Sequence, residues 1–122
     1  MNSNTGRLNY IHFTRKTLLL HIDGFLASLT SLNVKLGKVW LYGSYSRGNV
    51  HKFSDIDLAI WVDQHDLETV EKPETQSIIR AYYPIHVKWY VTERLEEDPF
   101  IHEIITTGQE IVVSHRPGAW DT

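Results

Sequence analysis

Apolar residues recur along the first third of the chain at a helical period. From about Leu8 to Leu32 they follow spacings of four, three, four, three and four, which place them on one face of a helix. The stripe consists of Ile11, Leu18, Ile22, Phe25 and Leu29, with the polar Arg15 among them and Leu19 and Leu26 beside them. The pattern predicts one long helix that ends near Asn33 and Gly37.

Three later segments have patterns typical of strands. Lys38–Tyr42 is short and largely apolar, and Gly43 stops it. Asp55–Val62 and Ile85–Val91 alternate in polarity, so each predicts a strand with one apolar face. The apolar faces are the even positions Ile56, Leu58, Ile60 and Val62 in the earlier segment and the odd positions Ile85, Val87, Trp89 and Val91 in the later one.

Two shorter helices and a last strand complete the pattern. A helix is predicted over Glu74–Tyr82. Another is predicted to begin with Asp98 as its cap and Pro99 in its first position, and to end at Gly108. Glu110–Val113 predicts a short final strand. This order of elements favours a small mixed β-sheet with helices packed against it. Helices on one face only would make the fold α+β, or α/β in a looser scheme.

Length and composition limit the kind of protein. The chain has 122 residues, of which 42% are hydrophobic and 22% charged, and this suits one domain with a packed core. We expect that domain over residues 1–113 and a loose tail over residues 114–122. Because the chain has no cysteine, a disulfide, a thiolate zinc site and a cysteine nucleophile are excluded.

The net charge and the hydropathy indicate which kinds of partner and which cellular location to expect. The formal charge of −3 argues against a domain that coats nucleic acid by bulk charge. Residues 1–8 lack the apolar core of a signal peptide, and no apolar stretch reaches the roughly 18 residues that span a bilayer. We therefore expect a small cytoplasmic protein.

Two aspartates at the start of the second predicted strand carry the first chemical signal. Asp55 and Asp57 are two residues apart, so both side chains leave the same face of the strand, opposite its apolar face. Two such carboxylates repel each other unless a cation lies between them. Mg²⁺ prefers carboxylate oxygens together with substrate phosphates. This pair is therefore a candidate metal site.

A glycine–serine turn after the first predicted strand carries the second signal. Gly43 lets the backbone approach a ligand closely. The Ser44 hydroxyl and free backbone N–H groups can donate to phosphate oxygens, with a further gain if a helical turn begins there. Arg47 and Lys52 are nearby cations for the same phosphates. Ser44 also suits a simple turn or helix cap, and the two roles are compatible.

Together these two motifs resemble the signature of the nucleotidyltransferases of the DNA polymerase beta superfamily, in which Gly-Ser precedes Asp-x-Asp with ten residues between them. The sequence around the two motifs is similar to that of the minimal nucleotidyltransferases, which are small single-domain members of the superfamily. The matching segments are Leu41-Tyr42-Gly43-Ser44, Arg47-Gly48, Ser54-Asp55-Ile56-Asp57-Leu58-Ala59, and Asp98-Pro99-Phe100-Ile101 through Glu103-Ile104-Ile105 to Gly108. The resemblance covers about Leu8 to Val113.

The resemblance implies the polymerase beta catalytic fold and a Mg²⁺-dependent transfer of a nucleoside monophosphate from ATP, or another nucleoside triphosphate, to a hydroxyl. Gly43 and Ser44 would hold the triphosphate, and Asp55 and Asp57 would bind two Mg²⁺ ions, with Mn²⁺ as an alternative. Some members act with a helical partner protein as toxin–antitoxin pairs, so a hydroxyl on such a partner is one candidate acceptor. The short chain favours a homodimer or a hetero-oligomer.

The third carboxylate that the resemblance implies is not evident. The pocket-facing positions of Ile85–Val91 are His86, Lys88 and Tyr90, and His86 stands where the acid is expected. His86 is interpreted as a general base, as a relic of lost catalysis, or as an ordinary solvent-facing residue. Lys88 is either a phosphate contact or a surface cation. Glu93 is the nearest acid, but it needs a bend or bulge to enter the site.

The missing acid leaves two hypotheses open. One is an active nucleotidyltransferase, and the other is a catalytically impaired nucleotide-binding module with a regulatory or partner-binding role. Trp61 shares the face of the two aspartates, so it belongs either to the core or to the border of a base-binding pocket. Asp63 and Asp66 are interpreted as turn and cap residues, and His65 as a surface residue without a metal-like partner.

Overall fold

Helix α1 (Arg15–Thr30) follows a capping box at the start of the described chain. The structure is a computed structural model that describes residues 13–47, 55–92 and 98–112. Thr14 is extended; its Oγ1 accepts from the Thr17 N–H at 3.2 Å, and the Thr17 Oγ1 accepts from the Thr14 N–H at 2.9 Å. The helix therefore begins at Arg15, whereas the pattern predicted a start near Leu8. Residues 1–12 lie outside the described residues.

One face of α1 forms much of the main core, as the predicted stripe requires. Its buried residues are Leu18, Ile22, Phe25, Leu26 and Leu29. Leu19, which the pattern places beside the stripe, is 36% exposed, and Leu20 is 61% exposed. The outer face of the helix therefore presents two large apolar side chains to solvent.

Four strands form one mixed sheet in the order β3-β2-β1-β4. They are β1 (Leu36–Tyr42), β2 (Ile56–Val62), β3 (Ile85–Val91) and β4 (Gln109–Ile111). Strands β2 and β3 are parallel, whereas β1 is antiparallel to both β2 and β4. The predicted strands are confirmed, although β1 and β4 begin slightly earlier than the pattern indicates. Val113, the predicted end of the last strand, lies outside the described residues.

Short helical segments follow β1 and β2. Helix α2 (Ser44–Arg47) comes directly after β1, and a 3₁₀ turn (Gln64–Asp66) and helix α3 (Leu67–Val70) come after β2. Helix α4 (Pro73–Ala81) confirms the helix predicted over Glu74–Tyr82, with Pro73 in the first turn, where its missing N–H costs nothing.

The even-numbered side chains of β2 are buried between the sheet and the helices α1 and α4. Ile56, Leu58, Ile60 and Val62 are each fully buried. Partly buried residues of α4 and of the turn after it close this core, namely Ile78, Ile79 and Tyr82.

The opposite face of the sheet is covered by helix α5 (Pro99–Thr107). The Asp98 carboxylate accepts from the Phe100 N–H at 2.9 Å, so Asp98 is the helix cap, as predicted. Ile101 and Ile104 of this helix form a second cluster with Ala59, Trp61 and Tyr90 of the sheet.

This second cluster settles the place of two aromatic residues. Trp61 is 1% exposed, and its ring stacks on Tyr90 with a centroid distance of 4.8 Å. Trp61 is therefore a core residue and does not border a base-binding pocket. Tyr90, predicted to face the pocket, is buried under α5 instead.

The fold class is α+β, a small mixed sheet with helices, as predicted. The helices cover both faces of the sheet, however, because the alternate side chains of β2 and β3 that do not face α1 are also apolar near α5. None of the helices in the described ranges is both long and apolar enough to span a bilayer. The predicted boundary between residues 113 and 114 lies outside the described residues.

Candidate active site

Gly43 occupies a position that only glycine fits. It ends the first strand with φ +76°, a left-handed conformation that costs other L-residues about 1–2 kcal/mol. A Cβ on Gly43 would also collide with Oδ2 of Asp57. The backbone turn between β1 and α2 is therefore held directly against the Asp57 carboxylate.

Asp57 lies in a row of three side chains that crosses the sheet. It is the register partner of Tyr42 on β1 and of His86 on β3. All three lie at the end of the sheet where β1 finishes and where β2 and β3 start. Because neighbouring strands are about 4.8 Å apart, register partners on one face are close neighbours.

The contact between Asp57 and His86 is close and open to solvent. Nδ1 of His86 lies 3.7 Å from Oδ1 of Asp57. The side chain of His86 is 70% exposed and that of Asp57 is 26% exposed. An approaching molecule can therefore reach the imidazole while the carboxylate remains held by its neighbours.

Asp55 precedes β2 and is exposed, whereas the residue between the two aspartates is fully buried. The Ile56 N–H donates to the Pro84 carbonyl oxygen at 3.0 Å, which anchors the strand between Asp55 and Asp57. The two carboxylates therefore flank an anchored backbone position and, by strand alternation, leave the sheet on one face. Their hard oxygen donors suit Mg²⁺, and the absence of a side chain at Gly43 lets the Asp57 carboxylate lie directly against the turn.

The residues after Gly43 are joined to the far end of α5. The Ser46 hydroxyl lies 3.0 Å from the Gly43 carbonyl oxygen and 3.4 Å from that of Thr107, and it can donate to either. Ser44 is half-buried at the start of α2. Arg47 ends the same helix, but its side chain lies outside the described residues, as does the whole of Lys52.

Lys88 lies two residues beyond His86 on the same face of β3. Its Nζ is 5.6 Å from the centroid of the Tyr90 ring and 5.7 Å from that of Phe100. Such cation–π contacts hold an ammonium group near a ring face without neutralising its charge. The contact of Lys88 with phosphate stays a prediction.

In the described ranges, no third acid forms a group with Asp55 and Asp57 whose ligand atoms all lie within 4.8 Å of one another. The outward positions of β3 near Asp57 are His86 and Lys88, and Glu93 lies outside the described residues. The ligand atoms of Asp55, Asp57 and His86 do not all lie within 4.8 Å of one another. Among the described residues, the group of three that meets this distance lies elsewhere.

That other group is Asp63, His65 and Asp66, on the 3₁₀ turn after β2. Asp66 is 5% exposed, and its Oδ2 accepts from the Lys35 N–H at 3.2 Å. Neither aspartate makes the side-chain cap hydrogen bond expected from its position. Sequence reasoning missed this cluster because it treated His65 separately from the two acids; the short spacing Asp-x-His-Asp was the available signal.

Tyr42 reports on the charge of Asp57. The pKa of Tyr42 is raised, first because burial disfavours the phenolate and second because the Asp57 carboxylate is near. Since the folded-state pKa lies above that of the unfolded chain, the stability that Tyr42 contributes is present below pH 10.0 and is lost as the pH rises through the folded-state pKa.

Replacing Asp57 by Asn is expected to lower the pKa of Tyr42 but to leave it above its usual 10.0, because burial remains. An ultraviolet titration of tyrosinate measures the shift, and the same titration of Tyr42→Phe identifies which part of the curve belongs to Tyr42. An unchanged Tyr42 pKa in Asp57→Asn would show that the carboxylate does not act on this phenol.

A mixed sheet with helices, in which a Gly-Ser turn lies against an Asp-x-Asp strand, is the arrangement expected of a nucleotidyltransferase-type domain. The family model described as Polymerase beta, Nucleotidyltransferase matches residues 26–116, which is more than half of the chain. The chain therefore belongs to the polymerase beta nucleotidyltransferase family. Comparison with curated proteins and with solved structures gave no match.

Proposed function

We propose that this chain is a Mg²⁺-dependent nucleotidyltransferase that moves a nucleoside monophosphate from ATP, or another nucleoside triphosphate, onto a hydroxyl group. The observation that carries the proposal is the contact between Gly43 and Asp57. It brings a backbone turn without a side chain against a carboxylate, so that phosphate donors and a metal ligand share one small space. Membership of the nucleotidyltransferase family supports the same reaction class.

In this proposal the turn after β1 holds the triphosphate. The Ser44 hydroxyl and the backbone N–H groups of the turn donate to phosphate oxygens. Arg47, Lys52 and Lys88 are the proposed cationic contacts to the same phosphates. The hydrogen bonds that Ser46 can make to Gly43 and Thr107 keep the turn in position while the nucleotide binds.

Asp55 and Asp57 are the proposed Mg²⁺ ligands. Bound Mg²⁺ would supply charge neutralisation at the leaving pyrophosphate and at the acceptor oxygen. In the transfer, the acceptor oxygen forms a bond to the α-phosphorus, and the bond from that phosphorus to pyrophosphate breaks. His86 is the proposed base that takes the proton of the acceptor hydroxyl, because its exposed ring lies beside Asp57.

The test is incubation of the full chain with ATP labelled at the α-phosphate and Mg²⁺. The candidate acceptors supplied are the chain itself, total cellular RNA and the product of the neighbouring gene. Transfer of label that requires Mg²⁺ and releases pyrophosphate supports the proposal. Label that stays in free nucleotide with every acceptor, in a folded sample that binds ATP, contradicts it.

One observation favours a second function, a nucleotide-binding regulatory or partner-binding module without transfer. His86 occupies the register position beside Asp57, and the described outward positions of β3 there hold no acid. Two variants separate the functions. If His86 is the base, His86→Ala is expected to lower transfer; if the site has lost an acid, His86→Asp is expected to create transfer that the natural chain lacks.

A further inference from the structure

Phe100, in the first turn of α5, borders the row that contains Asp57. Its ring meets the Tyr42 ring edge to face, with a centroid distance of 5.6 Å, and its centroid is 5.7 Å from Nζ of Lys88. Tyr42 is on β1 and Lys88 is on β3, and β2 lies between these two strands. A ring that contacts both of these side chains must therefore lie across β2.

The strand register shows where along β2 the Phe100 ring lies. Asp57 is the register partner of Tyr42. Two residues further along the same face of β2, Ala59 is the partner of Lys88. Ala59 has a small side chain and is fully buried in the cluster against which Phe100 packs. Phe100 therefore bounds the site on the side of Asp57 that faces the middle of the sheet.

Lys88 is an exposed cation that lies near two aromatic rings, those of Phe100 and Tyr90. The ion pairs of the described residues do not include Lys88. Cation–π contacts restrict where an ammonium group lies but leave its charge available to an anion. The Phe100 backbone is itself fixed, because its N–H donates to the Asp98 carboxylate at 2.9 Å. The start of α5 therefore places a ring that can hold the Lys88 ammonium group.

We propose that Phe100 is a positioning residue that holds Lys88 at the α-phosphate of the bound nucleotide. This inference rests on the proposed function, in which the turn at Gly43 holds the triphosphate and His86 takes the proton of the acceptor. An in-line displacement places pyrophosphate and the acceptor on opposite sides of the α-phosphorus. The turn is on the β1 side of Asp57 and His86 is on the β3 side, so the α-phosphate lies over β2.

The position of Lys88 determines which phosphate it can reach. Neighbouring strands are about 4.8 Å apart, so Lys88 is one strand spacing from β2 and two from β1. It is therefore nearer to an α-phosphate over β2 than to the phosphates that the turn holds at the end of β1. Phe100 accordingly contributes to the binding of the group that is transferred and not to the binding of pyrophosphate.

The test compares the affinity of the full chain for two ligands in the presence of Mg²⁺. They are α,β-methylene-ATP, which cannot be cleaved between the α- and β-phosphates, and inorganic pyrophosphate. Phe100→Leu is expected to weaken binding of the ATP analogue about two- to fivefold, the size of a cation–π contact at an exposed site, and to leave pyrophosphate affinity unchanged. Isothermal titration calorimetry measures both affinities, and urea denaturation confirms that the variant folds.

Three further variants separate the ring and its action on Lys88 from a general effect on the helix. Phe100→Tyr keeps a ring and is expected to retain the natural affinity for the analogue. In a Lys88→Met background, Phe100→Leu is expected to have no further effect, because the cation that it positions is gone. Ile105→Ala is the matched control: Ile105 is 49% exposed on the same helix, and its replacement is expected to change neither affinity.

Several results would overturn the role of Phe100. They are a Phe100→Leu variant that binds the analogue as tightly as the natural chain, an equal weakening of the analogue and pyrophosphate, and an undiminished effect of Phe100→Leu in Lys88→Met. A natural chain that binds neither ligand would also overturn it. A natural chain that binds the analogue but transfers no label contradicts the transfer reaction alone, while the affinities still decide the role of Phe100.

Discussion

The variant Asp57→Asn is expected to lose about a hundredfold or more of the transfer rate, as when a key charge-stabilising group is removed from an active site. Asn keeps the size of the side chain between Tyr42 and His86 but removes the negative charge that a metal ligand needs. The measurement is the initial rate of transfer of the α-phosphate label at saturating Mg²⁺ and ATP. Because the shape is conserved, the fold and the urea midpoint are expected to change little.

The matched control is Asp63→Asn. Asp63 lies beyond the other end of β2 and belongs to the second acidic group, with His65 and Asp66. Its carboxylate makes no cap hydrogen bond, so its removal is expected to leave the transfer rate near that of the natural chain. A loss in Asp63→Asn equal to that in Asp57→Asn would contradict the assignment of the reaction to the Gly43 end of the sheet.

The variant Gly43→Ala is expected to lose both stability and transfer. An alanine there must adopt the left-handed conformation at a cost of about 1–2 kcal/mol, and its Cβ collides with the Asp57 carboxylate. The collision is relieved only if the turn or the carboxylate moves, and either movement separates the phosphate donors from the proposed metal ligand. Urea denaturation measures the first effect, and the labelled-ATP assay measures the second.

Gly24→Ala separates this effect from the substitution of glycine in general. Gly24 lies within α1, and a Cβ there would meet the ring of Tyr82 at 3.2 Å, a contact that a side chain can relieve by a small shift. Alanine is also the better helix residue by about 1 kcal/mol. We expect Gly24→Ala to keep its transfer rate. If Gly43→Ala also kept it, the close contact between Gly43 and Asp57 would not matter for the reaction.

Much of the fold was predictable because local patterns determine it. The alternation in Ile85–Val91 and the Asp98-Pro99 helix start each reflect a rule that acts within a few residues. The closeness of the turn at Gly43 to Asp57 could also be predicted from the sequence, because the motif joins the end of one strand to the start of the next.

The features that could not be predicted depend on contacts between distant segments. The row that aligns Tyr42, Asp57 and His86 is set by strand register, which no single strand specifies, and only the family resemblance placed His86 near the two aspartates. Trp61 and Tyr90 are large aromatic residues that suit either a pocket wall or a core, and only the packing of α5 decides between them. The burial of Asp66 likewise depends on the backbone N–H of Lys35, which lies 31 residues away.

The positions of Asp57 and His86 within the sheet determine how readily each of them can be substituted. Asp57 is on a strand flanked by β1 and β3, and Gly43 touches it directly, so the half of the site proposed to hold the nucleotide is part of the folding unit. His86 is on a strand at the margin of the described sheet, with most of its ring in solvent. Substitution at His86 therefore costs the core little, so the proposed acceptor side of the site can change while the proposed nucleotide side stays constant.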